Sequence, residues 1–422
     1  YDWRDGIGPR ASRPERINWW FSNDHRTESN AVGTHEFMNF CRLVGAEPYF
    51  AANMTSTTPL HIRNWMEYCN APEGLTTLAR ERGANGDPAP FNIKYWGIGN
   101  ESWGCGGNMR PEYYADEFRR YQTYCRQYGD QRPFRIACGP SNGDYEWTRV
   151  LMERAGRYMD GLSLHYYTVP TGNWEHKGSA REFSDDEYYS TMAGTMAIDD
   201  IIARHTQIMD KYDPGKRVAL LLDEWGTWWD VEPGTNPGHL YQQNTMRDAM
   251  VASMSLDIFN SHTDRLKMAN IAQIVNVLQA MILTKGDEIV LTPTYHVFRM
   301  YNVHQNARFV PTSQNSLSAK APNGKVYPTF STSASCSESG DYNISLSNPL
   351  LDKEQTVELE FDALRPSDVS GEILRSANVG DYNDFGADAE RVTPKAFRDF
   401  KVKGGTITVT LPPCSIVVLK VR

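Results

Sequence analysis

The chain has 422 residues, of which 40% are hydrophobic and 23% are charged, and its formal net charge is −9. No run of 18 apolar residues occurs in the sequence, which argues against a membrane-spanning segment. Lysine and arginine do not cluster, which argues against a nucleic-acid-binding protein. The length allows more than one domain.

Short apolar runs alternate with segments of helical period from about residue 33 to residue 300, which predicts an α/β fold. The runs are typical of buried parallel strands, and they cover residues 47–52, 93–98, 134–138, 160–165, 218–223 and 267–273. The clearest helical periods cover 114–125, 198–209 and 246–258. The pattern therefore predicts six strands rather than eight.

After about residue 305 the sequence changes to Ser-, Thr- and Val-rich segments of period two. Residues 356–361 and 406–411 alternate cleanly, and residues 415–421 form a last predicted strand. We therefore predict an α/β domain over residues 1–304 and a β-sandwich domain over residues 305–422.

Two of the predicted α/β strands end in a glutamate, in the strings Gly99-Asn100-Glu101 and Asp223-Glu224-Trp225-Gly226. A single glutamate among 52 acidic residues is most simply a solvated surface residue. Two at matching strand ends, each with glycine and tryptophan nearby, point instead to a barrel glycosidase. Such an enzyme presents an acid and a nucleophile to one sugar ring at the carboxyl ends of its strands.

The sequence resembles glycoside hydrolase family 51, the α-L-arabinofuranosidases. The Gly-Asn-Glu string alone is shared by many barrel glycosidases, whereas the whole set of matching stretches in this order is specific. These stretches cover residues 3–10, 33–38, 45–49, 65–70, 94–101, 162–167, 223–226 and 269–277.

The resemblance implies a (β/α)8 TIM-type barrel followed by a C-terminal all-β sandwich. It implies a retaining, exo-acting enzyme that releases arabinose from side chains of arabinoxylan or arabinan by double displacement. Such enzymes use no cofactor or metal, and the sequence lacks the Cys and His spacing of a zinc site. The resemblance also implies a homo-oligomer, such as a hexamer.

Residue roles follow from the same resemblance. Glu101 is expected to be the general acid/base and Glu224 the nucleophile. The residues expected to bind the sugar or to support these two carboxyl groups are Asn100, Tyr167, Gln273, His165 and Trp20. Tyr167 is expected to hydrogen-bond the nucleophile, whereas His165 could equally be a core histidine. Trp225, Trp228 and Trp229 either line the cleft or pack behind the catalytic strand.

The chemistry sets an expectation for the pKa of Glu101. The acid must be protonated before reaction, and we expect partial burial and the negative charge of Glu224 to raise its pKa. Glu224 must stay ionised to attack the sugar.

The strand count differs from that of the family. Family members carry the acid/base on barrel strand four and the nucleophile on strand seven, whereas here they follow the second and fifth predicted strands. We therefore expect the intact protein to have two further strand–helix units upstream of Tyr1, and the barrel to be incomplete without them. Completion by another copy of the chain is the second interpretation.

Two alternatives stay open at this stage. One is another barrel glycosidase of the same clan, such as a β-xylosidase or an endoglucanase. Another is a truncated, inactive sugar-binding form. A nucleotide-binding protein is disfavoured because no strand is followed by a phosphate-binding glycine motif; residues 104–107 read instead as a loop beside the acid. The compartment cannot be assigned.

Overall fold

The computed structural model describes residues 1–18, 27–315, 317–362 and 364–422. The chain forms two compact units. The first comprises Tyr1–His165 and Arg204–Asp223, and the second comprises Tyr166–Ala203 and Glu224–Arg422. Two of the unit boundaries fall inside continuous strands, so each of those strands begins in the first unit and ends in the second.

The described residues contain eight α-helices. They are α1 (Thr34–Val44), α2 (Pro59–Asn70), α3 (Thr77–Ala84), α4 (Pro111–Gln122), α5 (Tyr145–Ala155), α6 (Asp185–Tyr212), α7 (Met246–Ser261) and α8 (Pro293–Tyr301). Helices α4, α6 and α7 occupy the three segments of predicted helical period. Cys125 lies beyond the end of α4, because the chain leaves the helix in a tight turn in which the amide of Cys125 bonds to the carbonyl of Gln122.

Ten strands precede α8 in the part of the chain that the structure describes. They are β1 (Arg16–Ile17), β2 (Thr27–Glu28), β3 (Tyr49–Ala52), β4 (Tyr95–Ile98), β5 (Phe134–Ala137), β6 (Gly161–Thr168), β7 (Ala219–Thr227), β8 (Leu266–Ile271), β9 (Ile282–Lys285) and β10 (Glu288–Leu291). Strands β3 to β8 form one six-stranded sheet in sequence order, and β3 to β6 pair in parallel. Strands β1 and β2, and likewise β9 and β10, form antiparallel pairs.

The six predicted α/β strands are the six strands of this sheet. Nearly every residue of β6 and β7 is buried, as expected for strands covered on both faces. Close packing explains one glycine after β5, since a Cβ at Gly139 would lie 1.5 Å from the carbonyl oxygen of Ser163 on β6. The predicted α/β architecture is therefore confirmed, whereas the presence of two further strand–helix units stays a prediction.

The remaining strands are all antiparallel. They are β11 (Arg308–Val310), β12 (Ser318–Lys320), β13 (Val326–Pro328), β14 (Ser331–Cys336), β15 (Tyr342–Asn348), β16 (Gln355–Glu360), β17 (Val369–Arg375), β18 (Lys395–Phe397), β19 (Phe400–Lys403), β20 (Thr406–Leu411) and β21 (Ser415–Val421). They form sheets of order β11-β14-β15-β21-β17-β18 and β16-β20-β19, with β12 and β13 paired separately. Alternate apolar residues of both larger sheets meet in one core, which confirms the predicted sandwich.

Helix α7 is attached to the sandwich sheet through a buried carboxylate. Asp257 on α7 accepts hydrogen bonds from the hydroxyls of Ser331 (2.7 Å), Ser333 (3.0 Å) and Ser345 (2.6 Å) on β14 and β15. Burial raises the pKa of Asp257 to about 6, although these hydroxyl donors oppose the shift. These three serines are therefore buried partners of Asp257 rather than surface residues.

We propose residues 304 and 305 as the domain boundary. The 3₁₀ turn Asn302–His304 follows α8, the last α-helix of the described residues, and β11, the first strand of the six-stranded antiparallel sheet, begins at Arg308. Within the ranges that the structure describes, no helix is both long enough and apolar enough to cross a bilayer.

Candidate active site

Glu101 follows β4 in a sharp backbone turn. Gly99 and Glu101 have φ values of +86° and +45°, and both lie in the left-handed region that side chains other than glycine rarely occupy. A Cβ at Gly99 would lie 2.8 Å from the hydroxyl of Ser102. A strained conformation at a carboxylate that ends a strand is typical of functional sites.

The loop at residues 104–107 holds this turn in place. The amides of Gly104 and Gly106 donate hydrogen bonds to the carbonyl oxygen of Glu101, at 2.8 and 3.0 Å. A Cβ at Gly106 would lie 1.8 Å from the carbonyl oxygen of Asn100, so only glycine fits there. The thiol of Cys105 donates to Oε2 of Glu101 at 3.4 Å. These contacts confirm that this segment is a loop beside Glu101.

His165 on β6 links Glu101 to a second carboxylate. Its Nδ1 lies 2.9 Å from Oε1 of Glu101, and its Nε2 lies 3.3 Å from Oδ1 of Asp223 on β7. The hydroxyl of Tyr49 on β3 donates to Oδ2 of Asp223 at 2.9 Å. Gly97 on β4 makes room for the Tyr49 ring, because a Cβ there would lie 3.0 Å from it. His165 is therefore both buried and part of the candidate site.

The pKa of Glu101 is lowered from its ordinary value. Burial alone would raise it, but the hydrogen bond and the charge of His165, with a smaller contribution from Cys105, outweigh the burial. The expectation of a raised pKa is therefore wrong for the free protein. The imidazole that opposes it lies 64 residues further along the chain, so no local pattern indicates it as a partner of Glu101.

Tyr167 and Glu224 form a second group of candidate residues. The phenol hydroxyl of Tyr167 on β6 donates to Oε1 of Glu224 on β7 at 2.5 Å, the contact that the resemblance implies. The intervening Tyr166 points away, because its hydroxyl donates to the carbonyl of Gly194 on α6. Side chains alternate along a strand, so His165 and Tyr167 share the face of β6 opposite α6.

The carboxyl end of β7 is held in position by the close packing of Gly226 and by hydrogen bonds to the first turn of α7. Gly226 has a φ of +144°, and a Cβ there would lie 2.4 Å from Cγ of Gln279, which excludes a side chain. The hydroxyl of Thr227 and Nε1 of Trp229 both donate to Oδ1 of Asp248, at 2.6 and 2.8 Å. These bonds attach the strand that carries Glu224 to the first turn of α7.

The three tryptophans after Glu224 differ in position. Trp225 is buried against Phe259 and Phe298, and Trp229 is buried as well. Both therefore pack behind the strand. Trp228 is half-buried and meets the ring of Tyr167 edge to face at 4.9 Å. Only Trp228 of the three contacts a side chain of the candidate site.

Two of the other predicted sugar-binding residues, Asn100 and Gln273, have exposed side chains. Asn100 is exposed and lines a cavity of about 250 Å³ together with Asn53 and His61. Gln273 is exposed after β8 and is joined by a cis peptide bond to Ala272, which packs against Tyr167. Trp20, like its neighbour Trp19, lies outside the described residues.

Asp223 contacts the candidate residue His165, and Tyr49 contacts Asp223, but the sequence pattern does not assign a role to either of them. An acidic residue inside an otherwise apolar run was the available signal for Asp223, whereas nothing local distinguished Tyr49. Imidazole and carboxylate groups are also metal donors. Here both nitrogens of His165 already face carboxylate oxygens, an arrangement suited to sharing protons.

Comparison with known proteins gives a consistent result. Residues 1–188 match the family profile "Alpha-L-arabinofuranosidase 1 domain", and residues 223–415 match "Alpha-L-arabinofuranosidase C-terminal domain". The chain is 51% identical over 423 residues to an intracellular exo-alpha-L-arabinofuranosidase of Bacteroides ovatus, covering 100% of this chain and 81% of that protein.

Solved structures agree. The GH51 arabinofuranosidase from Xanthomonas axonopodis pv. citri is similar with a TM-score of 0.96 and 47% identity, covering 100% of this chain and 84% of that one. The alpha-L-arabinofuranosidase from Thermotoga maritima in complex with arabinose is similar with a TM-score of 0.82 and 27% identity, covering 100% and 84% respectively. A bifunctional glucanase-xylanase, at 14% identity and a TM-score of 0.53, shares the fold alone.

Proposed function

The chain belongs to glycoside hydrolase family 51, the α-L-arabinofuranosidases, and on that premise we propose that it is a retaining exo-α-L-arabinofuranosidase. Its substrate is an arabinose-containing glycan, and its action releases terminal arabinose from side chains of arabinoxylan or arabinan. Glu101 is the proposed general acid/base, and Glu224 is the proposed nucleophile.

One observation carries the assignment of the two glutamates. His165, which contacts Glu101, and Tyr167, which donates to Glu224, stand on the same face of β6. Residues two apart on a strand are separated by about 6.6 Å. The partners of the two carboxyl groups are therefore separated by a single residue on a continuous strand, and we propose that Glu101 and Glu224 act as the carboxyl pair of a retaining glycosidase.

In the proposed first step, a carboxylate oxygen of Glu224 attacks the anomeric carbon of arabinose. The bond from that carbon to the leaving oxygen breaks, and the carboxyl proton of Glu101 passes to that oxygen. The hydrogen bond from Tyr167 orients the attacking carboxylate. The product of this step is an ester between arabinose and Glu224.

In the second step Glu101 acts as a base instead of an acid. Its carboxylate takes a proton from water, and the resulting hydroxide oxygen attacks the anomeric carbon and displaces Glu224. The configuration at that carbon is inverted twice and so retained overall. His165 favours the ionised form of Glu101, which is the form that this step requires.

The remaining assignments rest on the family resemblance. We propose that Asn100 binds the hydroxyl beside the reacting carbon and that Gln273 binds the sugar from the end of β8. Trp20 is proposed as part of an aromatic wall. We also propose that the chain forms a homo-oligomer.

The function is tested by comparing nitrophenyl glycosides at equal concentrations. We expect hydrolysis of p-nitrophenyl α-L-arabinofuranoside to exceed that of the β-D-xyloside and the β-D-glucoside by about 10²-fold or more, because a pocket that hydrogen-bonds one sugar leaves polar groups unpaired with another. Faster cleavage of the xyloside or glucoside would favour the other clan members. Binding without cleavage would favour an inactive sugar-binding protein.

A variant of His165 tests the pKa of the acid. The first step needs protonated Glu101, so kcat/KM falls as the pH rises through the pKa of Glu101 in the free enzyme. His165 lowers that pKa, so the alkaline limb of the kcat/KM profile should lie at lower pH than an unperturbed glutamic acid would give. His165→Gln removes the imidazole charge, and we expect the alkaline limb of the kcat/KM profile to move to higher pH.

The matched control for this experiment is His35→Gln. His35 is also buried and paired with an acid, since its Nδ1 lies 2.6 Å from Asp87 and its Nε2 lies 2.6 Å from the hydroxyl of Tyr68. We expect this variant to keep the alkaline limb of the wild type. An unchanged limb in His165→Gln, in enzyme that is still folded, would remove His165 from the account of the Glu101 pKa.

A further inference from the structure

The loop after β6 presents an unusually exposed tryptophan. Trp174 is 49% exposed, and of the tryptophans within the described residues it is the one found among the exposed large apolar side chains. Exposing an indole to water forgoes the free energy that its burial would provide. Such a side chain on an ordered loop is a candidate contact surface for a ligand.

The loop is tied to the segment after β7. Both carboxylate oxygens of Asp230 accept amide hydrogen bonds, from Lys177 at 3.1 Å and from Gly178 at 3.2 Å. The amide of Asp230 donates in return to the carbonyl of Gly178 at 2.9 Å. The ammonium of Lys177 donates to the carbonyl of Trp174 at 2.8 Å. These bonds fix the backbone that carries the exposed indole.

Trp174 is the last of three aromatic rings in contact, and the first of them, Tyr167, hydrogen-bonds the proposed nucleophile Glu224. Its ring meets Trp228 edge to face at 5.5 Å, and Trp228 meets Tyr167 in the same way at 4.9 Å. Tyr167 in turn donates to Glu224. Trp174 therefore stands two ring contacts away from the residue that holds Glu224, on the solvent side of Trp228.

We infer that Trp174 forms, with Trp228, a binding subsite for the sugar on the leaving-group side of the cleaved bond. This inference rests on the proposed function. An exo-acting enzyme encloses only the terminal arabinose, so the next sugar must be held by groups outside the catalytic pocket. A pentose presents a flat face of C–H groups that packs on aromatic rings. The occupant is a neutral pentose unit of the glycan main chain.

The test compares two kinds of substrate with Trp174→Ala. An aryl arabinofuranoside carries no main-chain sugar, whereas an α-1,5-arabinotriose and an arabinose-substituted xylotriose each carry one. Loss of a stacking surface is expected to lower kcat/KM for at least one oligosaccharide by about three- to tenfold more than for the aryl glycoside. The oligosaccharide that suffers the larger loss identifies the main chain as arabinan or xylan. Trp174→Phe, which keeps a ring, should recover part of the loss.

Tyr113→Ala is the matched control, because Tyr113 on α4 is an exposed aromatic residue of similar accessibility, at 53%. We expect it to keep the wild-type ratio of oligosaccharide to aryl kcat/KM. An unchanged ratio in Trp174→Ala, or an equal loss on all substrates, would overturn the subsite. If the wild type cleaves none of these arabinofuranosides, the proposed function itself fails, which is a separate result.

Discussion

Replacement of Glu224 by alanine is expected to lower kcat for an arabinofuranoside by about 10⁴-fold or more. Without this carboxylate no ester with arabinose can form, and the charge that stabilises the cationic sugar carbon is lost. Azide, which is small enough to enter the space left by the side chain, should restore turnover. Because azide then attacks from the side that Glu224 occupied, the product is a β-arabinofuranosyl azide of inverted configuration.

Glu224→Gln is the matched variant, since it keeps the size of the side chain and removes only the charge. We expect it to be as inactive as Glu224→Ala but not to be rescued, because the amide fills the space that azide needs. Product configuration is read by NMR spectroscopy. Absence of rescue at Glu224, together with rescue to an inverted product at another carboxylate, would disprove the assignment.

Replacement of Glu101 by alanine is expected to depend on the leaving group. For an oligosaccharide, whose leaving oxygen must be protonated, kcat/KM should fall by about 10²- to 10⁴-fold. For a dinitrophenyl arabinofuranoside, whose leaving group departs without protonation, the first step should be nearly normal. The second step lacks its base, so the arabinosyl ester should accumulate and produce a burst of dinitrophenol.

Azide distinguishes this role from that of Glu224. In Glu101→Ala it should accelerate breakdown of the ester and give an α-arabinofuranosyl azide of retained configuration, because attack comes from the side of the missing acid/base. The alkaline limb of the pH profile should also disappear. A uniform loss on both leaving groups, with no burst and no rescue, would mean that Glu101 does not act as the acid.

Much of the fold could be predicted from the sequence, because the residue patterns that mark its strands are local. The six apolar runs became β3 to β8, and the alternation at residues 356–361 and 406–411 became β16 and β20. A buried parallel strand reads as a continuous apolar run and a half-buried strand as an alternating one. The β9–β10 pair and α8 were not predicted. These elements are short and lie where the alternation of helices and strands ends. Each contains too few residues to show a recognisable period.

The candidate site was predictable only in part. Glu101 and Glu224 stood out because each ends an apolar strand, and the family resemblance supplied the contact from Tyr167 to Glu224. The link from His165 to Asp223 and on to Tyr49 joins residues that are distant in sequence. Such contacts depend on strand order and register, which no local pattern encodes. The lowered pKa of Glu101 follows from its contact with His165, which is equally distant in sequence, so the sequence alone led to the opposite direction.

The burial of the tryptophans after Glu224 likewise could not be predicted from the sequence. Trp225, Trp228 and Trp229 are close in sequence, yet two are buried and one contacts Tyr167. Trp225 packs against Phe259 on α7 and Phe298 on α8, and Trp229 donates to Asp248 on α7, whereas Trp228 contacts Tyr167 on β6. The sequence does not distinguish Trp174, because a tryptophan in a polar loop can be recognised as a binding residue only when its contacts are known.

The central claim is that Glu224 forms a covalent bond to arabinose while Glu101 transfers protons. A 2-deoxy-2-fluoro-arabinofuranosyl fluoride should slow the second step more than the first and trap that bond. After digestion with pepsin, mass spectrometry should find the fluorosugar on the peptide that contains Glu224. Attachment to any other carboxylate, or release of the inverted sugar with no labelled peptide, would contradict the account.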